Sequence, residues 1–209
     1  MDFVMAQWKE LSATYCSKAG TVRKCWSEIE KAYTSRRRHY HDLQHLHELL
    51  QQAAQQRSVL KDYDVLRFSI FYHDFIYSSL RKDNEIKSAQ VAEKKLDKLG
   101  FPSLRAARCL RQIKATQGHQ LSVSDRDPDL PYFLDFDLAI LGADWDRYLL
   151  YTQKIRREYQ IYPNWMYRKG RRKVLSHFLE RPRLYFTPLY FEQYEFKARD
   201  NLKRELAQL

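Results

Sequence analysis

The chain has 209 residues, 44% hydrophobic and 30% charged, with a formal net charge of +11. That length and balance fit one globular domain with a real core and argue against a disordered or membrane chain. Three cysteines without a CxxC spacing argue against a disulfide framework and for a reducing, cytoplasmic setting. No signal peptide is expected, since none is visible, and no stretch approaches the ~18 uninterrupted apolar residues of a membrane span.

Val4, Trp8, Leu11 and Tyr15 recur at helical spacing and predict a helix over 3–15 that Gly20 stops. Thr21 is the expected N-cap of a helix over 22–33, with Trp26, Ile29 and Tyr33 on one face. The triplet Arg36-Arg37-Arg38 follows. Four of the seven histidines then fall in the nine-residue window 39–47. On a helix His41 and His45 stack on one face, with Cβ atoms ~5–6 Å apart. Leu43, Leu46 and Leu50 form the neighbouring apolar stripe. Zinc proteases share this His spacing in HExxH, but Asp42 is one methylene short of the glutamate they need. The polar stretch 51–62 ends the helix.

Residues 65–77 form one of the most apolar segments of the chain. Its period is helical and sets Leu66, Ile70, His73 and Tyr77 on one face. The doublet His73-Asp74 sits inside it. An imidazole and a carboxylate are costly to bury bare. A divalent metal satisfies both; a place on the helix's wet face does so too.

Beyond a loop at 78–82, Asp83 or Asn84 caps a helix with Glu85 in its first turn. Ile86, Ala89, Ala92 and Leu96 are expected inward, and Gly100 stops it. Ser103 caps the next helix, which contains Leu110 and Ile113 and ends near Thr116-Gln117-Gly118-His119. A polar loop at 125–131 leads to a second odd segment, 133–142, where Asp135 and Asp137 interrupt an apolar run. These acids either cap a buried helix start or bind a cation. Asp144 opens a helix through Tyr159, and 167–180 is helical with a basic start. Pro182 and Pro188 punctuate. A charged helix over 191–209, with Phe196 and Leu202 inward, closes the chain. No strand set, repeat or linker is visible. The expectation is one all-α helical bundle over 1–209, its core at about 36–160 and the helices of 165–209 packed on it.

His41, His73-Asp74, His119 and Asp137 occur in chain order. That set resembles the HD superfamily of metal-dependent phosphohydrolases, all-α domains. The likeness is closer to a bacterial subgroup with blocks that appear here as Tyr40-His41-x-x-x-His45, Asp83-Asn84-Glu85 with Ser88-Ala89, and Thr116-x-x-His119. Further blocks are Leu134-Asp135-x-Asp137-Leu138-Ala139-Ile140-Leu141-Gly142, Tyr159, Gly170-Arg171 and Glu195-x-x-Ala198-Arg199-x-Asn201-Leu202. The likeness spans roughly 36–206. Ser78 stands where the pattern has an Asp, and only His119 lies where many two-metal relatives place two histidines.

The resemblance implies His41, His73, Asp74 and Asp137 as metal ligands, with Mn²⁺ or Fe²⁺ favoured and Mg²⁺, Co²⁺, Ni²⁺ or Zn²⁺ compatible. His45 and Glu85 are candidates for a second metal. Asp74 or Glu85 is the expected proton acceptor for an attacking water, and His119 the partner of the phosphate or leaving oxygen. Arg38, Lys87, Arg171 and Arg199 are candidates to neutralise phosphate charge; a surface salt bridge is the other role open to each. Tyr40, Tyr77 and Tyr159 are candidates to stack a base or sugar, or to pack the core. The expected activity is hydrolysis of a nucleotide or other small phosphate ester. The net charge also allows a basic helical module that binds nucleic acid around a structural metal, although no nucleic-acid motif is visible.

Overall fold

The computed structural model describes residues 2–122 and 124–209. Among these the protein is all-helical, as its composition and periodicity predict, and no strand occurs. The helices are α1 (Asp2–Ala13), α2 (Ala19–Tyr33), α3 (Leu43–Gln55), α4 (Tyr63–Tyr72), α5 (Asn84–Leu99), α6 (Ser103–Ala115), α7 (Leu130–Leu138), α8 (Trp145–Glu158), α9 (Asn164–Leu179) and α10 (Pro188–Gln208). A short 3-10 turn, Ala139–Gly142, follows α7. The chain divides into two compact units, one ending at Phe133 and the other Leu134–Leu209. None of the described helices is long and apolar enough to cross a membrane.

In the first unit α4 is the buried helix. It packs against α3, α5 and α6, and every residue from Val65 to Tyr72 is buried. Two of its buried polar members have partners: Arg67 donates to Asp64 and Glu10, and Ser69 donates to Gln112. Trp8 of α1 closes one side, edge-on to Phe68, Phe71 and Tyr72. The helix starts on a carboxylate: Asp62 accepts from the Val65 N–H and from Arg105. Fully buried Asp129 takes the backbone N–H groups of Lys61 and Asp62 and a bond from Arg108.

Several expectations fail locally. Thr21 lies inside α2, whose N-cap is Lys18. Gly20 does not stop α1; it sits in the first turn of α2. Helix α1 ends earlier, where the Tyr15 and Cys16 N–H groups both return to the Ser12 carbonyl. Ile86 is exposed, because Asn84 and Ser88 take the inward positions and hold a loop there. Phe196 is 84% exposed. The inward face of α10 instead carries Glu195, Asn201 and Glu205 beside Ala198 and Leu202.

Those polar groups organise the second unit. Asn201 donates to the carbonyls of Leu141 and Ala143, and Tyr185 donates to that of Leu138. A Cβ on Gly142 would lie 2.6 Å from that of Tyr194, so only glycine lets the 3-10 turn approach α10. Glu195 accepts from the N–H groups of Leu184 and Tyr185.

Asp135 also caps a buried helix start, but that of α10. It accepts from the Phe186 and Thr187 N–H groups and the Thr187 hydroxyl, Thr187 being the N-cap. Burial pushes its carboxyl up to about 6, against these hydrogen bonds, which pull it down. The folded chain therefore keeps a proton that the unfolded chain releases. The stabilisation is complete below about pH 4 and is lost as pH rises through about 6. Urea unfolding across that window should show a decline of about 2 kcal/mol that Asp135→Asn flattens. A parallel decline in both proteins would assign it to other groups.

Candidate metal centre

The doublet lies where α4 runs out. His73 is the C-cap residue, and Asp74 follows it outside the helix. The last carbonyls of a helix lack intrahelical partners. His73 takes one of them: its Nδ1 lies 2.8 Å from the Ile70 carbonyl oxygen. A carbonyl only accepts, so Nδ1 carries a proton, and Nε2 is the nitrogen turned to His45 and Asp74. His73 itself keeps helical dihedrals, and its Nε2 and Asp74 Oδ2 approach to 3.1 Å.

His41 is not inside a helix, as its spacing from His45 predicts. Asp42 is the N-cap of α3 and accepts from the N–H groups of Gln44 and His45. This leaves His41 before the helix and His45 in its first turn. It also commits Asp42 to capping, a second reason to set the zinc-protease pattern aside.

His45 Nε2 lies 3.1 Å from His73 Nε2, and His73 Nε2 lies 3.1 Å from Asp74 Oδ2. Asp74 Oδ2 is 3.9 Å from His45 Nε2 and 3.9 Å from His41 Nε2. Two donors bound at right angles to one ion, each at ~2.1 Å, lie about 3 Å apart. The two 3.1 Å separations fit that requirement, and the two of 3.9 Å correspond to a wider angle. His45 and His73 are buried, and the ring of Phe133 stands edge-on to His73. His73 Nε2 faces the Asp74 carboxylate oxygen in this apolar setting, a pairing that either a proton on the ring or a divalent cation would balance.

The surroundings hold these groups in place. Arg38 donates to the carbonyls of His41 and Phe75 and lies over the Tyr33 and Tyr77 rings. It ties the segment before α3 to the segment after the doublet. Tyr33 Oη accepts from the Asp74 N–H. Ser88 bonds both the N–H and the carbonyl of Ile76, and the Asn84 amide does the same for Ser78. The Asp-Asn-Glu and Ser blocks thus pin the loop that leaves the doublet. Tyr77 packs on the His41 ring at 4.2 Å, and Tyr40 lies 5.0 Å from both His41 and His45.

Glu85, in the first turn of α5, faces the cluster electrostatically. Burial pushes its carboxyl above the usual range, its own backbone N–H pulls it down, Asp74 adds to the rise, and His119 and His73 oppose it. His119 follows the end of α6 with a φ of 45°. This left-handed backbone is uncommon outside glycine, and the His119 N–H donates to the Ala115 carbonyl. Lys87 is half-buried and lies 3.4 Å from Asp83.

The other predicted residues belong to the second unit. Asp137 is half-buried on α7. Arg171 pairs with Glu205 through two bonds of 2.7 and 2.9 Å. Arg199 is held by Glu195 and by the carbonyls of Leu179 and Arg181. Tyr159 packs against Tyr162 and Tyr167.

The residue underweighted by sequence is His45, which takes a place in the tight cluster rather than in a second site. Its signal was present: Asp42 three positions earlier reads as an N-cap, which puts His45 in a first helical turn.

The fold and site together define a class: an all-helical protein with a buried His-His-Asp set whose donors have the spacing of a divalent-ion site. No protein-family model matches the chain, and neither a curated protein nor a solved structure matches it.

Proposed function

We propose that the protein is a metal-dependent phosphohydrolase acting on a nucleotide or another small phosphate ester. The observation that carries this is the meeting of His45 Nε2, His73 Nε2 and Asp74 Oδ2 within 3.9 Å, with His41 at the rim. Imidazoles and a carboxylate suit Mn²⁺, Fe²⁺ or Zn²⁺. Such an ion, when bound, supplies Lewis acidity: it polarises a phosphoryl oxygen and acidifies water.

The protein's own groups do the rest. Asp74 holds negative charge beside the donors. Glu85 accepts a proton from the attacking water, its half-buried setting keeping it basic enough to do so. His119 donates to the phosphate or to the leaving oxygen. Phe133 and the buried end of α4 exclude bulk water from one side. The resemblance to the HD superfamily points the same way, and the net charge of +11 favours an anionic substrate.

The test is metal analysis of the protein as purified, followed by phosphate release from a nucleotide panel with and without chelator. Close to one equivalent of a divalent ion is expected, with activity lost on chelation and restored by Mn²⁺ or Fe²⁺. Glu85→Gln should retain the metal and lose roughly a hundredfold in kcat. A metal-free protein whose phosphate release ignores both chelator and added ions would end the proposal.

A further inference from the structure

The second unit carries a charged surface that the candidate metal centre does not use. Over its 16 residues α9 contains no Asp or Glu, while Arg168, Lys169, Arg171, Arg172 and Lys173 lie on it. Arg171 is buried against Glu205; the others are exposed. Asn164, Trp165, Arg168, Lys169 and Arg172 line a cavity of about 560 Å³. Trp165, Arg168, Lys169 and Arg172 follow at the i, i+3, i+4, i+7 spacing of one helical stripe, which spans about 10 Å.

Trp165 is 67% exposed and sits in that concavity among the cations. A large indole is seldom left in water without a partner. Lys169 and Arg172 have no carboxylate partner among the described residues. Arg168 is anchored through Nε and Nη2 to the carbonyls of Leu209 and Gln208, which fixes one edge of the cavity.

We propose that this face of α9 binds single-stranded nucleic acid, with a base stacked on Trp165 and flanking phosphates on Lys169 and Arg172. An exposed indole among cations matches how unpaired strands are held: the ring takes a base face and the cations take the backbone. A duplex keeps its base faces covered, so it has nothing to offer the ring. A bilayer surface is flat and is met by a broad apolar helix face. Here the stripe that carries Trp165 offers one indole followed by three cations and no second apolar side chain.

The experiment measures binding of the full chain to a fluorescein-labelled 20-nucleotide oligouridine by anisotropy. It is done in chelator, so the result is independent of the metal site. A duplex of equal length and phosphatidylserine-containing vesicles are run in parallel. The expected result is salt-sensitive binding to the single strand that exceeds binding to the duplex. Trp165→Ala should weaken it at least about fivefold, while Trp165→Phe largely retains it. Lys169→Ala with Arg172→Ala should reduce the steepness of the log–log salt dependence by about 1.4. All these side chains are exposed, so the variants should melt with the parent. Three results overturn the proposal: oligouridine binding indifferent to these substitutions, duplex binding as tight as single-strand binding, or binding to vesicles alone.

Discussion

His73→Ala is expected to remove both the metal and the activity while the helical fold persists. The wild-type protein should bind about one divalent ion. The variant should retain less than a tenth of that and lose at least about a hundredfold in metal-dependent phosphate release. His45→Ala and Asp74→Ala should behave alike, since each supplies one of the three clustered donors. His41→Ala should be milder, about tenfold. Its Nε2 stands 3.9 Å from Asp74, and its ring is already packed on Tyr77.

A thermal readout separates metal binding from catalysis. A ligand that binds only the folded state stabilises it by about 2.7 kcal/mol at a hundred times its Kd. Added Mn²⁺ should therefore raise the melting temperature of the wild type and leave that of the three cluster variants unchanged. Comparing metal-free proteins guards against a simple folding defect. The assignment of His45 falls if His45→Ala still gains stability from the ion as the wild type does.

The second large effect is on stability. Arg171→Ala is expected to destabilise the protein by about 3–5 kcal/mol, because Glu205 would be left as an uncompensated buried carboxylate. Arg171 and Glu205 side chains are each 8% exposed, Tyr148 also donates to Glu205, and the guanidinium lies over the Tyr151 ring. For a chain of this size the melting temperature should fall by roughly 6–20 °C. Replacing the pair together, Arg171→Met with Glu205→Leu, should restore most of the loss, since no charge is then stranded. If Arg171 instead served the substrate, Arg171→Ala would melt like the wild type and lose activity alone.

Arg171 shows why residue type and spacing do not by themselves assign a role. In sequence it reads as a phosphate ligand within a basic run. Its partner Glu205 is 34 residues away, so no local pattern reveals the pair. Arg38 is similar: a cation next to the histidine window, it proves to be a clamp on two backbone carbonyls. The block from Leu134 to Gly142 divides in the same way. Asp135 caps α10, and Gly142 yields space to Tyr194.

The sequence alone determined the helical class, most helix positions, and the pairing of His73 with Asp74. Apolar period, caps and stop residues are local properties, and a helix is a local structure. The tertiary structure decided which histidine joins the doublet, which faces of α5 and α10 turn inward, and which arginines are committed to buried partners. Each of these depends on where helices end and what they meet, and the contrast between His41 before α3 and His45 within it follows from the cap bonds that Asp42 accepts.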